Sequence, residues 1–219
     1  MAAIIPARFL FRVAHPCRYL KKMPRTSGER LVDLPESCRL ENFAAIDARK
    51  NFADVRLAWN ENGIGLQVTV SGKDDDPRGD AADAKHSDGV TLWLDTRDAR
   101  TSHRASRYCH QFAFLPTGGG PDRDEPVFVQ SKIHRALQDA PIASAAAVPF
   151  RSARLKSGYR IEGFLSSAVL AGYDPDEHPR LGIYYAVRDS ELGEQVLSVG
   201  PEFPYAEDPS LWGVLELVK

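Results

Sequence analysis

The densest run of reactive side chains is DTRDARTSHRASRYCH, which gathers Asp95, Arg97, Asp98, His103, Arg104, Arg107 and His110. Two histidines and a carboxylate are donor types that hold zinc or iron, so Asp95, His103 and His110, with Arg104 beside them, outline a metal-assisted enzyme. The spacing argues against it. Recognised sites take ligands at fixed intervals on one element, whereas His103 falls in a turn-rich stretch and His110 in an alternating apolar one. The expectation is therefore a hydrogen-bonded core histidine at position 110, with Arg104 and Arg107 clamping nearby aspartates. His86 with Asp88 is a weaker metal candidate of the same kind. Asp74, Asp75, Asp76, Asp80 and Asp83 offer the oxygen ligands calcium prefers, but not in EF-hand order, and read first as a solvated acidic loop.

Other catalytic patterns fail on chemistry. TGGGP has the glycines to approach a phosphate but neither the lysine of a phosphate loop nor a following helix. Ser198 and Ser210 lack the strand–turn–helix setting of an activated nucleophile. No catalytic residue is expected, and a binding role leads over an enzymatic one.

The elements that must position these groups are strands. VRLAWNENGIGLQVTVSG holds two alternating runs joined by Asn60, Glu61, Asn62 and Gly63, which predicts a hairpin. DGVTLWLD, RYCHQFAFLP, VFVQSKI, LGIYYAVRD and the closing WGVLELV read as further strands, and RSARLKSGYRIEGFL as a second hairpin turning at Lys156, Ser157 and Gly158. Phe9–Val13 and Glu29–Leu34 are short candidate strands. GKDDDPRGDAADAKHSD and TGGGPDRDEP are expected loops. One short helical turn is expected after Ser166 and Ser167, stopped by Gly172. The prediction is an all-β, two-sheet antiparallel β-sandwich, jelly-roll-like, forming one domain over residues 1–219, with residues 1–40 packed on it or paired with it.

Alternation also selects a surface. Trp93, Arg107 and Gln111 share a face by period two, as do Tyr184 and Arg188 on their own strand. Flat aromatic area plus planar hydrogen-bonding groups suits a glycan or another small polar ligand.

Composition narrows the partners. In 219 residues, 28 Lys+Arg against 30 Asp+Glu leave a formal charge of -2, without the basic excess that attracts nucleic acid. Pro6, Arg8 and Arg12 interrupt the first apolar stretch, and none approaches the roughly 20 residues that span a bilayer, so a cytoplasmic protein with no membrane partner is expected. Cys17, Cys38 and Cys109 are an odd number without metal spacing, and read as buried thiols.

From about Asp54 onward the order of segments resembles the family 9 carbohydrate-binding modules and the related sugar- or haem-binding sandwiches called DOMON-like. The matching pieces are VRLAWNENGIGLQVTV, the acidic loop into SDGVTLWLDTRD, GYRIEGFL, LGIYYAVRD and DPSLWGVLELV. The resemblance implies a non-catalytic module, a structural calcium, and a sugar held between two aromatic side chains. At those two places this chain carries Lys85 and His86, and Tyr205 and Ala206. The candidate ligand-binding set is thus Trp93, Arg107, Gln111, Tyr184, Arg188 and Tyr205. A third reading is a protein-interaction module or homodimer using Phe203, Pro204 and Tyr205.

Overall fold

The structure is a computed structural model and describes residues 13–43, 46 and 49–219. The described strands are β1 (Ala14–Tyr19), β2 (Ala53–Asn60), β3 (Gly63–Ser71), β4 (Gly89–Asp95), β5 (Cys109–Gly119), β6 (Glu125–Ser131), β7 (Phe150–Leu155), β8 (Gly158–Ser166), β9 (Arg180–Asp189), β10 (Gly193–Val196) and β11 (Gly213–Val218). The all-β expectation holds. The named helical segments are short 3-10 turns, Glu36–Cys38, Ala81–His86, Ala145–Ala147 and Pro209–Leu211. No described helix is long and apolar enough to cross a membrane.

Both predicted hairpins form. Asn60 pairs with Gly63 around Glu61 and Asn62, and Leu155 pairs with Gly158 around Lys156 and Ser157. Three local expectations change. The turn after Ser166 is not helical, because Ser166 stays in β8, paired with Gly63, and is not released as a cap. The glycine-rich segment is less of a loop than expected, since β5 runs through Gly119 and β6 begins at Glu125. Glu29–Leu34 forms no strand. Of the candidate strand at the amino terminus, residues 9–12 lie outside the described residues, and Val13 precedes β1.

The expected pair of sheets is one sheet, in the order β6-β5-β4-β9-β11-β1-β2-β3-β8-β7, with β10 on β9. β1 makes the join. It runs parallel to β11 through five residue pairs and parallel to β2 through two, so both of its edges find hydrogen-bond partners and the arrangement is not wholly antiparallel. The sheet curls until its end strands β6 and β7 approach one another. Its interior is filled by alternate residues of every strand, including Leu57, Leu66, Leu92, Phe112, Ile161 and Ile183, all fully buried. Cys17, Cys38 and Cys109 are free, buried thiols.

Residues 20–38, after β1, form a strap over the outer face of β2, β3 and β8. Met23, Leu31, Val32, Leu34 and Cys38 pack on Ala58 and Phe164 as a second apolar cluster. The buried carboxylate of Glu162 anchors it. Leu31 and Val32 donate their backbone N–H groups to Glu162 Oε2 at 2.7 and 3.3 Å, Arg30 Nε bonds to Oε1, and Arg160 Nε donates to Oε1 at 2.8 Å. Gln67 Oε1 takes Leu34 N at 3.1 Å and Arg30 Nη2 at 2.9 Å. These side-chain acceptors replace a strand ladder, which is why an alternating segment lies here as irregular chain.

Replacing Glu162 with Ala leaves two buried N–H groups and a guanidinium unmatched, and should cost about 2–4 kcal/mol. Trypsin should then cut after Arg25 or Arg30 several-fold faster than in the wild type. Equal cleavage rates would show that the carboxylate does not hold the strap.

Candidate functional site

A groove of about 420 Å³ lies on the outer face of β4, β5 and β6. Register dictates its floor. Trp93, Gln111 and Ser131 are paired across β4, β5 and β6, and Thr91, Ala113 and Val129 form the next such row. Small side chains at 91 and 113 set the second row below the indole of the first. Such a volume lies within the range of small-ligand sites.

Trp93 is held on edge. It meets Tyr184 at 5.8 Å and 70°, and Tyr205 at 5.6 Å and 83°, while the two tyrosines stack at 4.4 Å. Trp93 Nε1 donates to Gln111 Oε1 at 3.1 Å. An indole N–H only donates, so the Gln111 oxygen must face it and the amide NH₂ is left for the groove. Arg188 enters from β9; its Nη2 lies 2.8 Å from Glu194 and donates to the Tyr205 hydroxyl at 3.0 Å. Burial pushes the Tyr205 hydroxyl up to about 12, Arg188 opposing part of the rise, so it remains protonated.

One wall is Ala81–Lys85, and the facing wall contains Lys132, His134, Ala206 and Glu207. The first wall is braced from its base. Ser87 Oγ takes Asp80 N at 2.8 Å and donates to Asp83 O at 2.9 Å, and Asp88 Oδ2 takes Arg78 N at 2.9 Å. Gly79 lies so close to Thr117 that a Cβ would stand 2.2 Å from its carbonyl oxygen, and Gly118 adopts φ +109 against it. The glycine run thus serves a backbone-to-backbone approach.

Asp88 reaches deeper. The Lys73 ammonium, its side chain wholly buried, sits 3.3 Å from Asp88, 3.1 Å from Asp189 and 3.7 Å from Glu191. Burial alone would lower its pKa, but the Asp189 hydrogen bond and the charges of Asp88 and Asp189 outweigh this and raise it. Sequence reading missed Lys73, which no local pattern marks.

The sequence-derived residues separate. Trp93, Gln111 and Arg188 line the groove. Tyr184 and Tyr205 lie beneath it, fully buried and 4% exposed respectively, so Tyr205 is not the exposed contact expected of an interaction surface; Phe203 is half-buried against the core. Arg107 is in the turn before β5, over the Tyr108 ring at 5.6 Å, because β5 begins only at Cys109. Lys85, Ala113, Ser131, Lys132 and Glu207 join the site without having been chosen from sequence. Lys85 had been noted only as standing where the resembled modules carry an aromatic residue.

The metal candidates do not converge. His86 is exposed on Asp83 at 2.8 Å, Asp88 is occupied by Lys73 and Ser190, and His103 is an exposed loop residue. Asp95 accepts from Arg97 N and Ala99 N at 2.9 and 2.7 Å. The acids considered for calcium turn to separate partners: Asp75 to Arg78, Asp76 to Arg154, Asp80 to Arg123 and Asp83 to His86. Among the described residues no three His, Cys, Asp or Glu side chains form a metal-holding group. Ser210, His103 and Asp208 do meet, but Ser210 and Asp208 both contact Nδ1 of the same ring, at 3.1 and 3.0 Å, which does not separate the two ends of a proton relay.

His110 is a core residue, stacked on Phe112 at 5.4 Å, but not the hydrogen-bonded one expected: neither ring nitrogen has a partner in good geometry among the described residues. Burial lowers its pKa to about 4, the Ala171 carbonyl offsetting only part of this. A smaller cavity of about 210 Å³ lies between the β1–β11 pair and Ser210–Trp212, lined in part by His15, Arg100 and Arg180. Depressions of about 410 and 480 Å³ lie along residues 20–35, lined by irregular chain. The groove is the stronger candidate because its floor is set by strand register.

No family model matches the sequence, and no curated protein does. Solved structures match the fold. A family 9 carbohydrate-binding module from Caldicellulosiruptor kristjanssonii in complex with cellotriose aligns over 94% of this chain and 93% of its own, with 14% identity and a TM-score of 0.56. A module of that family and organism in complex with glucose aligns over 76% of each chain, with 16% identity and a TM-score of 0.51. The fold is therefore that of family 9 carbohydrate-binding modules.

Two measurements probe the supports of the site. Lys73→Met leaves three carboxylates facing one another and should cost about 3–5 kcal/mol, a fall of about 10 °C in melting temperature; an unchanged melting temperature would refute the ammonium's role. For His110, the unfolded ring takes a proton near 6.5 and the folded ring only near 4. Stability should thus be complete above pH 6.5 and fall by up to about 3 kcal/mol as pH drops towards 4. Denaturant titrations of His110→Leu should show a shallower slope in that window; identical slopes would mean that the ring protonates freely in the folded chain.

Proposed function

We propose that this chain is a non-catalytic carbohydrate-binding module that holds a saccharide in the groove over Thr91, Trp93, Gln111, Ala113 and Ser131. The observation that carries the reading is the groove itself, with its oriented Gln111 amide, on a fold whose solved examples were captured with cellotriose and glucose. Sugar hydroxyls want planar donors and acceptors at fixed positions. Gln111, Arg188, Thr91 and Ser131 stand on paired strands and supply these with little ordering to be done on binding. Arg107, chosen from sequence, plays no part in this site.

Calorimetric titration with a panel of mono- and oligosaccharides tests the reading. At least one saccharide should bind, Gln111→Ala should weaken it about 10-fold, the equivalent of one good hydrogen bond, and Ala113→Trp, which fills the second row, should abolish it. Melting temperatures of both variants report whether the fold survives. No saccharide binding at millimolar concentration, or binding untouched by Ala113→Trp, would overturn the assignment.

A further inference from the structure

We propose that the saccharide taken by this groove is acidic, bearing a carboxylate or phosphate group that Lys85 receives. The inference rests on the carbohydrate-binding reading above and narrows it to a substrate class.

Three observations lead there. The first is the lack of a ring face to stack on. Trp93 is the one aromatic side chain lining the groove, it is only 2% exposed, and Tyr184 and Tyr205 pack edge-on against it. Neutral sugars depend on stacking of their apolar ring faces for much of their affinity, and this floor offers alanine, threonine and valine instead. The second is a set of donors more numerous than the two carboxylates, Asp83 and Glu207, in the same lining. The Gln111 oxygen is spent on Trp93, so its NH₂ faces the groove beside the Arg188 guanidinium, the ammonium groups of Lys85 and Lys132, and the hydroxyls of Thr91 and Ser131. A ligand rich in acceptors satisfies such a lining, and carboxylate or phosphate oxygens do so best.

The third is an ammonium group without an ion-pair partner. Arg188 is matched by Glu194 at 2.8 Å and Lys132 by Asp139 at 2.6 Å, while the carboxylates of Glu207 and Asp83 lie against the rings of His134 and His86 at 3.1 and 2.8 Å. Lys85 has no ion-pair partner among the described residues. Its ammonium group is thus left at the rim for an acidic group of the ligand to meet. Its position is not casual, because the Ser87 and Asp88 contacts hold the 3-10 segment that carries it.

Glucuronate, galacturonate and glucose 6-phosphate, each titrated beside glucose and cellotriose, provide the test, with inorganic phosphate as the sugar-free control. At least one acidic sugar should bind 10-fold or more tightly than its neutral counterpart in about 20 mM salt, and the preference should shrink severalfold in about 500 mM. Lys85→Gln should remove most of the preference. Lys156→Gln, the same charge change in the distant β7–β8 turn, should keep it. A uronate preference identifies a carboxylate and a sugar phosphate preference a phosphate. Neutral sugars binding as well as acidic ones would overturn this inference and leave the carbohydrate-binding reading standing. Phosphate alone binding as tightly as any sugar, with the same dependence on Lys85, would overturn it in favour of a plain anion site. No binding by any sugar would remove both.

Discussion

A buried ammonium group holds the two halves of the molecule in their relation to each other. Lys73 follows β3, in the half of the sheet that also contains β2, β8 and β7; Asp88 precedes β4, and Asp189 ends β9, in the other half. A charge withdrawn from water costs several kcal/mol unless opposite charges meet it at close range. The three segments must therefore converge wherever Lys73 is buried. That convergence fixes where β4 begins, and through Asp88 and Ser87 it fixes the segment that walls the groove. Structure far from the ligand site thus determines the position of Lys85.

A second constraint comes from edges. A curled sheet of limited width leaves strand edges with unpaired backbone groups, and these must be satisfied. β1 occupies the gap between β11 and β2, and the strap that follows is secured by side-chain acceptors, Glu162 and Gln67, instead of by another ladder. The same stretch buries the outer face of β2, β3 and β8. The outer face of β4, β5 and β6 retains an open depression floored by paired strands, whereas the depressions beside the strap are lined by irregular chain, and the ligand reading follows from that difference.

The floor of the groove presents hydrogen-bonding groups and not a flat ring. An indole held edge-on against two tyrosines supplies shape and a hydrogen bond to Gln111 but no stacking plane. On the proposed reading, recognition rests on donors and charge. This is consistent with the low identity to the matched modules, 14–16%, at which the shared property is the backbone arrangement and not the set of side chains that touch a ligand.

The strands were legible because alternation is local. The runs in β2, β3, β4 and β9 and the turns at Glu61–Asn62 and Lys156–Ser157 follow from residues next to one another in the chain. Trp93, Gln111 and Arg188 could likewise be assigned to the polar side by parity, although parity could not tell that Tyr184 and Tyr205 on or near that side would be covered. Arg107 failed because the strand starts two residues later than the alternation suggests. Glu29–Leu34 failed because its hydrogen bonds go to Glu162 and Gln67, 33 to 131 residues away along the chain. The sequence by itself determined strand identity and which way most side chains point, because both are set within a few residues. Tertiary structure alone decided that the sheet is one and not two, that Lys73 is buried among three carboxylates, and that Lys85 stands unpaired above an open floor. Those outcomes depend on which distant segments meet, and period-two alternation carries no information about that.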